Sequence, residues 1–271
     1  MTDTDSTKNE VKFSTGIVRS VTSGNRLIIR EPVPKAGRPP LEKILVLQHV
    51  TCPEPGRQII DRLTNKEQIT PDARGAWEAR EFTRLMFLGQ PVKFSIEYEW
   101  ENIEQVAGNV WLEKETPGKD SGLIEKGLKA GWFQINEKQS YLISQTLKDL
   151  ALDAKNYSRG LYNNSINLTA RNITWGVDEK SAPALVKRLG KKRLRGQVEY
   201  VLSGSTLKVY LVDEQTYLIM QLTGVRCNSL TGKTPEEKLF SQEAKYFVES
   251  RVLNRDIEVV LDYWVWGFGF F

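Results

Sequence analysis

Val21-Thr22-Ser23-Gly24-Asn25-Arg26-Leu27-Ile28-Ile29 returns, 180 residues later, as Val201-Leu202-Ser203-Gly204-Ser205-Thr206-Leu207-Lys208-Val209. In each stretch an apolar run stops at Ser-Gly and a small polar residue, then resumes. Small polar residues around a glycine between two apolar runs are turn chemistry, so both stretches predict a β-hairpin. The same local solution is used twice, and the flanking sequence can be read against itself.

Working outward from the first hairpin, Phe13 to Val21 and Leu27 to Arg30 are its strands. The Pro/Gly stretch Pro32 to Pro40 loops into a third apolar run, Ile44 to Val50, which Pro53, Pro55 and Gly56 end. From Ala73 to Leu88, apolar residues at Ala76, Trp77, Ala79, Phe82, Leu85 and Met86 make a helical stripe, with Gly89 as its stop. Pro91 to Tyr98 and Val106 to Leu112 read as two further strands, while Leu123 to Leu128 and Lys138 to Ala154 read as helices. In the longer helix Leu142, Ile143, Leu147, Leu150 and Leu152 need cover. A five-stranded barrel with a helix after the third strand and more after the fifth is the OB architecture.

The second copy keeps the same order. Gln197 to Leu202 and Leu207 to Leu211 repeat the hairpin strands, and Tyr217 to Val225 repeats the third strand. Glu236 to Leu253 repeats the helix, and Asp256 to Leu261 the fourth strand. Cys52 and Cys227 lie 175 residues apart, and Ala79, Phe82 and Leu88 lie 165 before Ala244, Phe247 and Leu253. Such a period is an internal domain repeat. The fold expected is therefore mainly β with helices (α+β), as tandem OB-type barrels. The boundaries are a polar tail at 1–10, a first domain at 11–170, a basic linker at 171–195 and a second domain at 196–262. That second domain is expected to lack its fifth strand and later helices, with 263–271 an aromatic tail read as the mark of a wrong gene boundary or a truncation.

The chain has 271 residues, 38 basic and 34 acidic, with 40% hydrophobic side chains, which suits two globular domains rather than a disordered or fibrous protein. Two cysteines make no disulfide framework, no leader pattern opens the sequence, and no apolar run approaches a membrane span. The expectation is a reduced, intracellular protein away from membranes, cytoplasmic with a possible nuclear pool.

Ser23-Gly24-Asn25 ahead of an apolar strand, Val50-Thr51-Cys52-Pro53-Glu54, and Trp77-Glu78-Ala79-Arg80-Glu81-Phe82 together resemble a staphylococcal-nuclease-type domain. The second copy matches through Leu222-Thr223-Gly224-Val225-Arg226-Cys227 and Gln242-Glu243-Ala244-Lys245-Tyr246-Phe247. Two such domains in series resemble the N-terminal part of the Tudor staphylococcal nuclease family. The resemblance implies a eukaryotic protein with further nuclease-like domains and a Tudor domain. It also implies RNA binding, association with the RNA-induced silencing complex, and coactivation of transcription and splicing.

Metal-assisted phosphodiester cleavage needs carboxylates for a hard cation, a base, and arginines for the developing charge. At the positions where the active bacterial enzymes carry these groups, the resemblance puts Asn25, Thr51, Val46 and Ala107 in the first copy, leaving Glu54 as a vestigial base. In the second it puts Ser205, Arg226, Gln221 and Ser229. No catalytic residue, metal site or cofactor is therefore expected. His49, the single histidine, and Cys52 and Cys227 read as structural.

The remaining candidates are binding residues. Lys187, Arg188, Lys191, Lys192, Arg193 and Arg195 put six cations in nine residues, dense enough to neutralise several phosphates. Trp132, Phe133 and Trp175 are candidates for base stacking, with core packing preferred for Trp132. Pro39, Pro40, Phe240 and Phe247 would supply the rigid and apolar parts of a peptide groove. Three readings are open: a scaffold binding structured or double-stranded RNA and proteins of silencing or transcription complexes, a weak endonuclease on structured RNA, and a pure peptide platform.

Overall fold

The computed structural model describes residues 11–32, 40–60, 67–101, 103–166, 168–228, 230–231 and 234–263. The chain divides into unit 1, Met1–Pro55 with Ala73–Thr169, and unit 2, Gly56–Asp72 with Ala170–Phe271. Unit 1 opens with β1 (Lys12–Ser23), β2 (Arg26–Arg30), β3 (Glu42–Leu47) and the short β4 (Val50–Thr51). A hairpin of β5 (Arg57–Ile60) and β6 (Glu67–Thr70) comes next in the chain but belongs to unit 2. Unit 1 resumes with α1 (Ala76–Phe87), β7 (Pro91–Ile96), β8 (Tyr98–Glu99), β9 (Gln105–Gly108) and β10 (Val110–Leu112). It ends with α2 (Leu123–Ala130), β11 (Gln134–Ile135) and α3 (Gln145–Asn156). Unit 2 adds α4 (Ala182–Leu189), β12 (Leu194–Ser203), β13 (Thr206–Leu211), β14 (Thr216–Gln221), α5 (Pro235–Val252) and β15 (Asp256–Val259).

Unit 1 is a closed OB barrel. Its sheet runs β10-β7-β1-β2-β3-β9-β8, antiparallel except where β9 lies parallel to β3. β1 reaches two neighbours because its pairing with β2 slips between Val18 and Ser20 and again between Val21 and Ser23. Such bulges add twist and let a twelve-residue strand bend. β12 slips between Val198 and Tyr200 and between Val201 and Ser203, so the repeat extends to the backbone irregularities.

Closure happens at one corner. β9 and β10 are separated only by Asn109, yet β9 pairs with β3 and β10 with β7. The Asn109 amide N–H donates to Ser95 Oγ at 2.8 Å, and its side-chain oxygen accepts from the Val110 and Ile124 amides at 2.8 and 3.1 Å. One buried side chain thus satisfies backbone donors at the corner and at the start of α2. Gly108 leads into that corner because any Cβ there would sit 2.0 Å from the Ser95 carbonyl oxygen.

The hairpin glycines are needed for space rather than for turn angles. Neither Gly24 nor Gly204 has a positive φ. A Cβ on Gly24 would come within 3.0 Å of the Ala79 carbonyl of α1, and one on Gly204 within 2.8 Å of the Ala244 Cβ of α5. Thr83 Oγ1 completes the contact by donating to the Gly24 carbonyl at 2.6 Å. The buried face of α1 is accordingly Ala76, Ala79, Arg80, Thr83, Arg84 and Phe87, and Leu85, expected on the apolar stripe, is 73% exposed.

Two other expectations change. The long helix from Lys138 to Ala154 is instead a 3-10 turn, Glu137–Leu142, and then α3. Ser144 breaks it, its hydroxyl accepting from the Leu147 amide as an N-cap. The break rotates the stripe, so Ile143 is buried, Leu147 and Leu150 are half-buried against the barrel core, and Leu142 and Leu152 are exposed. The residues expected as a linker, 171–195, carry α4 and the start of β12.

Unit 2 is a curled four-stranded sheet in the order β14-β13-β12-β15, with Val198, Val201, Leu207, Val209, Leu211, Leu253, Val259 and Leu261 as its core. α5 starts at a capping box, Thr234 with Glu237, and Pro235 occupies its first turn. The hairpin β5–β6 is held to this unit by a buried ion pair, Arg171 to Asp72 at 2.6 Å, and Lys208 donates to Gln58 at 3.3 Å. The tails 1–10 and 264–271 and Pro39 lie outside the described residues.

Candidate functional site

The residues at nuclease-type positions in unit 1 converge. Val46 on β3 and Ala107 on β9 are register partners, and Arg26, next to Asn25, pairs with Val46. Leu47 donates its amide to the Asn25 carbonyl at 2.8 Å, and Thr51 sits on β4. The Asn25 side chain is engaged inward: its amide donates to the Val50 carbonyl at 3.4 Å, and its oxygen accepts from Ser23 Oγ at 2.9 Å and Cys52 Sγ at 3.2 Å. An amide, a threonine, a valine and an alanine therefore stand at one end of the barrel. Glu54 is exposed in the loop after β4, where its backbone carbonyl accepts from the Ala73 amide.

Burial, with the Glu54 charge adding to it, pushes the Cys52 thiol up to about 12, so at neutral pH it is no nucleophile. His49 lies not on a strand but in the turn between β3 and β4 with φ 62°, its Nδ1 3.2 Å from Gln139 Oε1. Among the described residues no group of three or more His, Cys, Asp or Glu side chains is placed to hold a metal ion.

In unit 2 the matching positions fall beside an apolar cleft of about 520 Å³. Gln221 and Arg226 line it with Leu218, Met220, Val260 and Leu261, and Ser205 is buried next to it, its carbonyl accepting from the Leu222 amide at 2.8 Å. Ser229 lies outside the described residues.

All six cations of the basic run are exposed. Lys187 and Arg188 end α4, Gly190 and Lys191 (φ 65°) turn the chain, and Arg195 lies on β12. Three are paired: Arg188 with Glu214 at 2.7 Å, Arg193 with Glu258 at 3.0 Å and Arg195 with Asp213 at 2.6 Å. The last bond holds the Asp213 carboxyl below its ordinary range. Lys187, Lys191 and Lys192 make no ion pair among the described residues. Sequence reasoning found the cations and missed their carboxylates, which come from 18 to 65 residues away.

The aromatic candidates divide. Phe133 is a core residue at 1% exposure, its ring edge to face with Phe82 and closed to a base, and Trp132 is half-buried against the same core. Trp175 stacks on Tyr217 at 5.0 Å with Lys208 above both rings. Of the peptide-groove candidates, Pro40 is buried in unit 1, while Phe240 and Phe247 are exposed on α5.

A closed OB barrel with a hairpin–helix contact at Gly24, repeated at Gly204, defines the staphylococcal-nuclease-like class. No family model matches the chain. It is 30% identical over 93% of its length to staphylococcal nuclease domain-containing protein 1 of Drosophila melanogaster, covering 27% of that protein. It is 27% identical over 93% of its length to Ribonuclease TUDOR 1 of Arabidopsis thaliana, covering 29% of it. A protein of Schizosaccharomyces pombe with the first name is 27% identical over 81% of the chain. The chain belongs to the Tudor staphylococcal nuclease family, and it spans between a quarter and a third of the length of these relatives. No helix among the described residues is long and apolar enough to cross a membrane.

Proposed function

We propose that the chain is an RNA-binding and protein-docking scaffold whose two nuclease-type positions no longer cut. The observation that carries the RNA reading is the exposed basic run from Lys187 to Arg195. Exposed ion pairs contribute only about 0–1 kcal/mol, so phosphate competes readily for Arg188, Arg193 and Arg195. Lys187, Lys191 and Lys192 make no competing ion pair among the described residues. Catalytic silence is supported by Asn25, Val46, Thr51 and Ala107 at the ligand and arginine positions, because none brings a carboxylate charge to a hard cation or a guanidinium to a phosphorane. Docking of silencing or transcription proteins, as the family resemblance implies, is part of the same proposal.

Binding to a structured RNA, measured by fluorescence anisotropy, is expected to weaken with salt at a logarithmic slope of roughly −2 to −4. The variant Lys187→Ala/Lys191→Gly/Lys192→Ala is expected to flatten that slope by about 2 with an unchanged melting curve. Glycine is chosen at 191 because the backbone there is left-handed. An unchanged slope with normal melting refutes contact through this run. With calcium or magnesium, RNA and single-stranded DNA are expected to stay intact.

A second reading, a weak ribonuclease, is favoured by the name Ribonuclease TUDOR carried by the Arabidopsis relatives. Metal-dependent RNA cleavage that disappears in Glu54→Gln would establish it instead.

A further inference from the structure

The ends of α2 and α3 in unit 1 meet at two glycines. α2 closes on Gly131 (φ 77°), where a Cβ would sit 2.3 Å from the Arg159 carbonyl oxygen. A Cβ on Gly160 (φ 53°) would sit 2.6 Å from the Gly131 carbonyl oxygen, which accepts from the Leu161 amide at 3.0 Å. Contact this close lays the last turn of α2, with Lys129, beside the chain that leaves α3, with Lys155, Tyr157 and Arg159. All four side chains are exposed, Tyr157 at 68%. The Arg159 side chain donates to the Lys129 carbonyl at 3.2 Å, and its guanidinium carbon lies 5.1 Å from the centroid of the Tyr157 ring.

Three other cations of unit 1 face carboxylates: Arg19 faces Glu42 at 2.9 Å, Arg84 faces Glu81 at 2.7 Å and Lys126 faces Glu115 at 2.6 Å. Lys129, Lys155 and Arg159 make no ion pair among the described residues. A cation in the last turn of a helix complements the negative helix end, which accounts for Lys129 and Lys155. It does not account for a tyrosine ring standing in solvent with a guanidinium on it. Ring and cations together match the two halves of a nucleotide. Guanidinium and ammonium groups donate to phosphate oxygens, and an exposed ring offers its face to a base. A base inside a duplex is already stacked on both sides, so the match is to an unpaired one.

We infer that unit 1 carries a contact for single-stranded RNA at the joined ends of α2 and α3, with Lys129, Lys155 and Arg159 on the phosphates and Tyr157 against an unpaired base. The inference rests on the RNA-binding reading and deepens it. It adds a base contact to a phosphate contact, and it places that contact in the unit that does not hold the basic run.

Fluorescein-labelled octauridylate, titrated into the full chain and followed by fluorescence anisotropy, is the test. It is expected to bind the unaltered chain and the variant Lys187→Ala/Lys191→Gly/Lys192→Ala with the same affinity. Tyr157→Ala is expected to weaken binding about tenfold with an unchanged melting curve, and Tyr157→Phe, which keeps the ring, to leave it unchanged. Lys129→Gln/Lys155→Gln is expected to flatten the logarithmic salt slope by about 1.4, at about 0.7 for each phosphate of a single strand. Normal affinity in Tyr157→Ala overturns the inference. So does loss of octauridylate binding in the basic-run variant, which would move single strands to unit 2. An unaltered chain that binds structured RNA but not octauridylate overturns the inference and leaves the RNA-binding reading standing, whereas one that binds neither overturns both. Octauridylate displaced by hexaglutamate at equal concentration would overturn it too, assigning the cations to an acidic protein segment.

Discussion

Phe82 and Phe247 occupy the same position on the same helix of a repeated architecture, yet the first packs against a buried ring and the second faces solvent. The two units share their hairpin, their paired bulges and the close approach of glycine to helix. Among the described residues the correspondence runs through the fourth main strand. In unit 1 the Gly108-Asn109 corner lets one strand serve both sides of the sheet and delivers α2 and Phe133 to α1. Among the described residues the repeated stretches build a half-barrel, and in unit 1 the Gly108-Asn109 corner closes it.

The largest effect that would sharpen this contrast is at Phe133. Replacing it with Ala removes a ring at 1% exposure that touches Gly127 and Phe82, and should cost unit 1 about 3–5 kcal/mol. Urea unfolding monitored by tryptophan fluorescence would measure it, and a loss under about 1 kcal/mol would break the argument that this ring closes unit 1. The next effect compares Arg80 with Lys245 on the equivalent helical turns. Arg80 is 2% exposed and its Nε donates to the Val21 carbonyl at 2.9 Å, whereas Lys245 lies over the Tyr200 ring at 5.0 Å. Arg80→Ala leaves a buried acceptor and should cost about 1–3 kcal/mol. Lys245→Ala should cost about 0–1 kcal/mol by the same unfolding assay. Smallest is Phe247→Ala, expected to shift stability by no more than about 0.5 kcal/mol. A larger loss there would mean that α5 is already covered.

Both hairpins, α1, α5 and the barrel class were legible in the sequence because turn residues and apolar spacing are local signals. The hairpin β5–β6 was not, since Arg57-Gln58-Ile59-Ile60 and Glu67-Gln68-Ile69-Thr70 are short and show no apolar alternation. α4 had a readable signal in Pro183 and the spacing of Ala182, Leu185, Val186 and Leu189, which the neighbouring cations obscured. Of the candidate site, the cations and the residues at nuclease-type positions were visible as residue types. Their pairing with Asp213, Glu214 and Glu258, and the inward engagement of Asn25, arise from contacts between distant strands that no window of sequence contains.

The hairpin Gly56–Asp72 sits inside the first copy of the repeat but folds with the second unit, so the chain passes from one unit to the other three times. Similarity and separability therefore run along different seams. A fragment starting at Ala170 would inherit every residue of the second repeat and still leave the Arg171 guanidinium, 9% exposed, without the Asp72 carboxylate beside it. Whatever duplication produced the two copies, the pieces that can be cut apart and still fold are no longer the pieces that were copied.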